Sequence, residues 1–339
     1  MSLLKYIFRR LLALLPVLFG VLTLTFILSR LMPGDPVLAH LPAHGFTAEE
    51  YQAALERLGL DRPLIEQYFL YLRDLFTGNW GTSVAIASGT PVWDLVMERF
   101  ARTFDLTLFS IIIAALVGIK TGVISSTHRN KAKDTVFRGF ALVGVSIPVF
   151  WMGMLLQYFL GYKIDLFPAV GYKRAGIGDP PQITNFRIID CLLSARFDLL
   201  FDYLIHLFLP IMCLSFITLA SITRQTRSSM LEVLEQDYVR TARAKGCKEK
   251  DVINSHARRN ALIPTVTIIG LNFGGLLAGA VLTETTFNLH AIGEILIRSI
   301  QNTDYWILNA IVFVTTLAFI IINLITDIIY GLIDPRIRY

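Results

Sequence analysis

Polar and apolar positions along the 339-residue chain gather into long blocks, and the blocks set the architecture. Uncharged apolar runs occupy residues 11–29, 139–162, 261–283 and 305–326, each near or above the roughly 18 to 20 residues a helix needs to cross a bilayer. Two further runs are less clean. Residues 104–124 carry Lys120 near one end, where its ammonium can reach the headgroups, and residues 203–223 carry only His206. The pattern predicts six transmembrane helices in an all-α polytopic membrane protein.

The polar blocks between them hold shorter elements. Thr47, followed three residues later by Glu50 and closed by Gly59, predicts a capped helix over residues 47–58. A second helix is expected over residues 63–76, with proline in its first turn, before the turn-rich "TGNWGTS". Residues 163–202 contain "GIGDPP" and read as a loop with little regular structure, whereas residues 228–260 have helical composition interrupted only at Gly246.

Composition agrees with the pattern: 54% hydrophobic residues and 17% charge exclude an ordinary soluble pair of domains. "KYIFRR" before the first apolar run resembles the start of a secretory signal, but the run is too long for a signal core and no small-residue cleavage site follows closely. It is therefore expected to be a retained helix. Six crossings put both termini on one side, and the concentration of Lys and Arg in the shorter loops on that side makes it the cytoplasm. Cys191 falls in an outer loop, Cys213 within a span and Cys247 in a cytoplasmic loop, so no two share a side where a disulfide could form.

Several chemistries are missing. The chain has no GK dipeptide, hence no P-loop, and no HExxH, CxxC or G-x-S-x-G. His40 and His44 have metal-like spacing, but Pro42 between them marks a polar loop, and no metal site is expected. Around the middle of each span, near Val21, Ala114, Pro148, Cys213, Leu276 and Leu317, there is no ionisable residue to carry a coupling proton. Asp105, His206, Glu284 and Asp327 fall near helix ends and read as interfacial anchors. Neither an enzyme nor a proton-coupled carrier is indicated. In the fifth span Gly270, Gly274, Gly275 and Gly279 form two overlapping small-xxx-small patterns with Asn272 as a polar neighbour; they can serve packing within the bundle, a subunit interface or a translocation pathway.

The most informative polar block is "DYVRTARAKGCKEKDVINSHARRNALIP", residues 237–264. Asp237 can cap a helix starting at Tyr238, and Gly246 can end it after Arg243 and Lys245 have placed positive charge at its negative end. Tyr238, Ala242 and Lys245 fall along one face, with Ala242 leaving a gap for a partner side chain. A second helix is expected over about 248–260, with Arg258 and Arg259 close to the headgroups. Anionic membrane lipid would account for the charge but not for a short, doubly bounded helix. Nucleic acid is disfavoured, because Glu232, Glu235, Asp237, Glu249 and Asp251 interleave the basic residues and no aromatic ladder is present. Docking to a soluble protein remains.

Here the chain resembles a known family. "DYVRTARAKG" followed by "HARRNALIP" is similar to the cytoplasmic EAA loop of ABC importer permeases in the dipeptide, oligopeptide and nickel branch, with Arg240, Thr241 and Ala242 where the general pattern has Glu, Ala and Ala before the glycine. The amino-terminal "RRLLALLPVLFGVLTLTFILSRLMPGDP", the outer "LGLDRPLIEQY" and "GNWGTS", then "SIPVFWMGMLL", "FPAVGY" and the terminal "DPRIRY" look like the same branch. One motif departs: "FNLHAIG" has His290 and Ala291 where the family commonly has Pro and Gly, which leaves the conformation of that outer loop open.

The resemblance implies a B-type permease subunit with the type I, MetI-like fold, six transmembrane helices and both termini cytoplasmic. An N-terminal region, residues 1–103, would carry the first span and a long outer loop; the permease core, 104–339, would carry the coupling loop at about 224–264. It further implies a second homologous permease, two cytoplasmic ATPases docking at Asp237, Tyr238, Arg240, Thr241, Ala242, Arg243, Lys245 and Gly246, and an extracytoplasmic binding protein. This chain would bind no cofactor, with ATP and magnesium at the ATPases. Short peptides are the first expectation for cargo, with nickel, oligosaccharides and other small solutes behind them; the rival classes are a stand-alone channel or carrier and an intramembrane enzyme.

Overall fold

The structure is a computed structural model that describes residues 3–31, 35, 37–38, 41, 45–83, 86–87 and 89–333. His40, His44 and the terminal residues 334–339 lie outside that set. Strand structure among the described residues is confined to one isolated bridge between Thr82 and Pro91; the rest of the regular structure is helical.

Among the described residues five helices are long and apolar enough to cross a membrane: α1 (Leu3–Leu31), α4 (Val92–Thr127), α8 (Phe197–Leu234), α11 (Arg258–Gly279) and α14 (Tyr305–Ile333). The centre of the bundle is the contact of α4 with α8, the most extensive in the molecule. Gly118 and Gly122 make it possible. A methyl group at Gly122 would stand 2.6 Å from Thr226 Cβ, and one at Gly118 would stand 2.9 Å from Ile222, so the backbones approach as only glycine allows. α11 and α14 pack beside this pair, and α1 lies antiparallel to α14. Arg10 and Asp327 are 3.3 Å apart at one end of that last contact, and the Arg30 guanidinium lies over the Tyr305 ring, 5.8 Å from its centroid, at the other.

The expected continuous span over residues 139–162 is corrected. α5 (Ala132–Ser146) stops at Ile147, which Pro148 holds extended at φ −84° and ψ 127°, and α6 (Val149–Leu156), continued by a π-helical stretch at Gln157–Lys163, leaves at 104°. The pair still follows α8 in one direction. Asp134 meets Arg227, Gly144 meets Ala220, the Val149 carbonyl accepts from Cys213 Sγ at 3.3 Å, and Phe167 stacks on Phe208 at 4.1 Å. From Arg227 to Phe208 the α8 axis rises about 28 Å, close to the roughly 30 Å of a hydrocarbon core. α5 and α6 together therefore make one broken crossing, the sixth.

At the end of the bundle where α1 finishes lie α2 (Ala48–Arg57), α3 (Leu64–Thr77) and α7 (Arg187–Leu193). The capping box of α2 forms as its sequence requires: Glu50 N–H donates to Thr47 Oγ1 at 3.2 Å, and Thr47 N–H to Glu50 Oε2 at 2.7 Å. α3 is capped by Pro63 itself and ends on Gly78 in the left-handed region. One expectation fails in this region: α7 with the start of α8 gives residues 163–202 more regular structure than a loop, while α4 begins at Val92, upstream of the apolar run at 104–124. Seven residues are too few to display a period, and α7 owes its shape to Asp190, which is 2% exposed and accepts from the Thr184 amide and hydroxyl.

Candidate docking site

At the opposite end, α8 runs to Leu234 and the chain reverses through Glu235 and Gln236 into α9 (Asp237–Ala244). The helix start that the sequence places at Asp237 and Tyr238 is thus present, one residue earlier than expected. The cap is Gln236, whose carbonyl accepts from Val239 N–H at 3.1 Å and Arg240 N–H at 3.2 Å; Asp237 is the first helical residue, not the cap, and its exposed carboxylate stands 3.5 Å from Arg240. Its charge still sits where the helix dipole favours it.

The other end forms as the sequence indicates. Gly246 takes φ +79° and donates to the Arg243 carbonyl at 2.9 Å, while Cys247 N–H reaches the Ala242 carbonyl at 3.2 Å. These two bonds make a Schellman motif, which satisfies the last carbonyls of the helix. Arg243 is fixed by Glu249 at 2.8 Å, and that hydrogen bond raises its pKa above the ordinary guanidinium value.

The facing of α9 is corrected. Ala242 is buried, and with Val239, completely buried, it packs on Val252, Val233 and Leu234 of the same chain. It offers no gap to a partner. The exposed side carries Asp237, Tyr238, Arg240, Thr241, Arg243, Lys245 and Gly246. Tyr238 is tied back, its hydroxyl accepting from Asn260 Nδ2 at 2.8 Å. Nor does a separate second helix follow: α10 (Glu249–Asp251) passes through a π-helical turn at Val252–Ala257 directly into α11. Any push on α9 is thereby delivered to α8 through its end and to α11 through Val252 and Asn260.

Sequence reasoning missed the anchor beneath this site. Asp134 is fully buried and accepts from Arg227 through both oxygens, at 2.7 and 2.9 Å, with Ser125 Oγ and Asn130 N–H completing its shell. It joins α4, α5 and α8 about two turns before the end of α8, and nothing short of the fold brings residues 134 and 227 together.

The glycines of α11 divide between two faces. A methyl at Gly270 would overlap Thr326 and one at Gly274 would overlap Phe319, so these two seat α14, while Gly275 and Gly279 meet nothing within 4 Å. Asn272 donates to Ser221 Oγ at 2.9 Å. The open face continues through Leu271 and Leu282, each 55% exposed.

Three of the four expected anchors, Asp105, His206 and Glu284, are buried and hydrogen-bonded within the protein. Glu284 of α12 (Val281–Thr286), 2% exposed, accepts from Thr103 Oγ1 and Gly293 N–H, each at 2.6 Å. Tyr203 donates to Asp105 at 3.1 Å, and the imidazole of His206 lies 2.7 Å from the Asp202 carbonyl. The departing loop is well held: His290, at φ +48°, presents its carbonyl to Arg99 at 2.7 Å and Arg102 at 2.6 Å, and Ala291 is buried at the start of α13 (Ile292–Gln301).

Comparison with known proteins places these features. Residues 111–339 match the family described as "Binding-protein-dependent transport system inner membrane component", and residues 3–107 match the N-terminal family of the same membrane components. The chain belongs to this family. It is 43% identical to the di/tripeptide transport system permease protein DppB of Pseudomonas aeruginosa, over 99% of each chain. Against the dipeptide transport system permease protein DppB of Escherichia coli K12 the identity is 39%, again over 99% of each. In fold it resembles a chain of the inward-facing MetNI methionine ABC transporter, with TM-score 0.51 and 13% identity over 71% of this chain and 96% of that one. The permease is thus a multi-pass inner-membrane protein with the MetI-like fold, and α9 lies within the matched part.

Proposed function

We propose that the chain is the B-type permease subunit of an ATP-driven importer of short peptides, pairing with a second, homologous permease to form the translocation pathway. The observation that carries the cargo is the near-complete coverage, at 39–43% identity, of relatives named for dipeptide and di/tripeptide transport. The end bearing α9 is the cytoplasmic one, as the loop charges indicate, and both termini lie there. Two cytoplasmic ATPases dock on the exposed face of α9, and they, not this chain, bind ATP and magnesium. A binding protein delivers substrate at the opposite end.

The mechanism follows from how α9 is fastened. Closing of the ATPases moves α9 as a rigid body, because it is bounded at both ends and its buried face is seated on Val252. The displacement passes to α8 and α11 together and switches the bundle between outward-open and inward-open states. The open face of α11 around Gly275 and Gly279 meets the second permease or the pathway. Proteoliposomes holding the assembled complex test the reading: a labelled dipeptide should accumulate with ATP on the ATPase side and binding protein on the other. Accumulation driven by a pH step in vesicles containing this chain alone would overturn it.

A further inference from the structure

A groove of about 580 Å³ opens between α5 and α8 in the half of the bundle nearer α9. Residues at helical spacing line its two sides, Thr135, Arg138, Leu142 and Val145 on α5 and Ala220, Arg224 and Ser228 on α8. The groove is divided along its length. Arg138, Arg224 and Ser228 stand toward the α9 end, and Leu142, Val145 and Ala220 line the remainder.

The charge at that end is uncompensated. Arg227, which also lines the groove, is neutralised by Asp134 through hydrogen bonds of 2.7 and 2.9 Å. Arg138 and Arg224 are exposed and, among the described residues, have neither an ion pair nor a hydrogen bond. The apolar part is open as well: Leu142 is 69% exposed, and nothing lies within 4 Å of where a side chain would start at Gly139. Depth relates the two parts to the bilayer. Arg224 is one turn from Arg227, and Arg138 one turn from Asp134, so both guanidinium groups reach the level where hydrocarbon gives way to headgroups. From Thr135 to Val145 the α5 axis rises about 15 Å, half of the roughly 30 Å hydrocarbon core, and the helix breaks just beyond, at Ile147. The groove is as deep as one leaflet.

We propose that this groove holds one anionic phospholipid from the leaflet on the α9 side, with its phosphate at Arg138 and Arg224 and an acyl chain along Leu142, Val145 and Ala220. Both halves of the groove are needed to choose this occupant. A water-soluble anion would answer the arginines and leave the apolar length empty, whereas a neutral chain would fill that length and leave two charges uncompensated at the edge of the hydrocarbon. A zwitterionic lipid brings an ammonium of its own, which the arginines repel, so net negative charge is selected. The lipid would join α5 to α8 just before α5 breaks, beside the Asp134 and Arg227 anchor, and its binding does not depend on which cargo the permease carries.

The experiment uses the full chain purified with its partner subunits in detergent, stripped of lipid, and titrates phosphatidylglycerol or phosphatidylcholine of the same chains by native mass spectrometry. The complex should hold a phosphatidylglycerol that does not give way to phosphatidylcholine. Arg138→Gln and Arg224→Gln should each weaken its binding about fivefold, and about thirtyfold together. Gly139→Leu, which keeps both charges and fills the open part of the groove, should also expel it. Lys248→Gln with Lys250→Gln removes two charges on the same side but outside the groove and should change nothing. Thermal melting checks that each variant is folded, and ATP-driven dipeptide uptake with binding protein restored reads the transport function separately. Equal retention of phosphatidylcholine, an equal loss in the lysine variant, or undiminished phosphatidylglycerol in the arginine and glycine variants overturns the site. Displacement of the lipid by inorganic phosphate or by L-alanyl-L-alanine would give the groove to a soluble anion or to cargo, and cross-linking of a cysteine at Leu142 to the second permease would give it to that subunit; each of these overturns the lipid.

Discussion

Among single residues, Gly246 concentrates the proposed docking into one backbone angle. Its φ of +79° suits glycine, yet nothing lies within 4 Å of where a side chain would start, so a substitution acts through conformation and not through a clash. Gly246→Val should cost about 1–2 kcal/mol at this position and loosen the Schellman turn. The expected result is a normally inserted permease that retains much less ATPase on co-purification. Gly246→Asn, which tolerates the left-handed region, should retain more. Undiminished retention by the valine variant would place docking elsewhere.

For the helical elements, the testable claims are the broken third crossing and the side on which α9 lies. If α5 and α6 cross the membrane once along α8, cysteines replacing Phe140 and Phe216, whose rings are 4.8 Å apart, should cross-link within the half nearer α9. Cysteines replacing Phe167 and Phe208, 4.1 Å apart, should do so near the opposite face. A re-entrant loop would bring Phe140 and Phe167 to the same depth, and fluorescent labels on the two would then be quenched equally by lipids of one probe depth. Orientation has its own reagent. Cys247 is exposed, and in sealed right-side-out vesicles an impermeant thiol reagent should leave it unmodified while modifying a cysteine at Ala175, exposed in the outer loop. Modification of Cys247 from outside would invert the molecule.

At the scale of the whole molecule the question is where the energy enters. The ionisable groups near the helix ends are paired within the protein, Glu284 with Thr103, Asp105 with Tyr203 and Asp327 with Arg10, and the middle of each crossing has none. A proton relay needs titratable groups at depth. Uptake by the assembled complex should therefore persist when an uncoupler collapses the proton gradient and stop when ATP is withdrawn. Loss of uptake with the uncoupler at constant ATP would point to a relay through Glu284 or His206.

How much of this was legible along the chain depended on the reach of the physics involved. Six apolar runs were readable because hydrocarbon thickness sets a minimum length for each crossing, and the Thr47 capping box and the Gly246 stop were readable because their hydrogen bonds close within a few residues. Pro148 was visible too, but that the chain continues across the membrane beyond it is decided by contacts with α8 some 40 to 90 positions away. Spacing alone could not turn Ala242 inward, since Val252, which covers it, lies beyond the turn at Gly246. Equally spaced glycines in α11 separated only when α14 arrived against Gly270 and Gly274 and left Gly275 and Gly279 bare. The sequence by itself determined which segments are helices in lipid and where their local ends fall, because burial in hydrocarbon and backbone capping act on neighbours. Tertiary structure decided which face of each helix is core and which is left open, because that choice belongs to side chains on different elements that only the fold brings together.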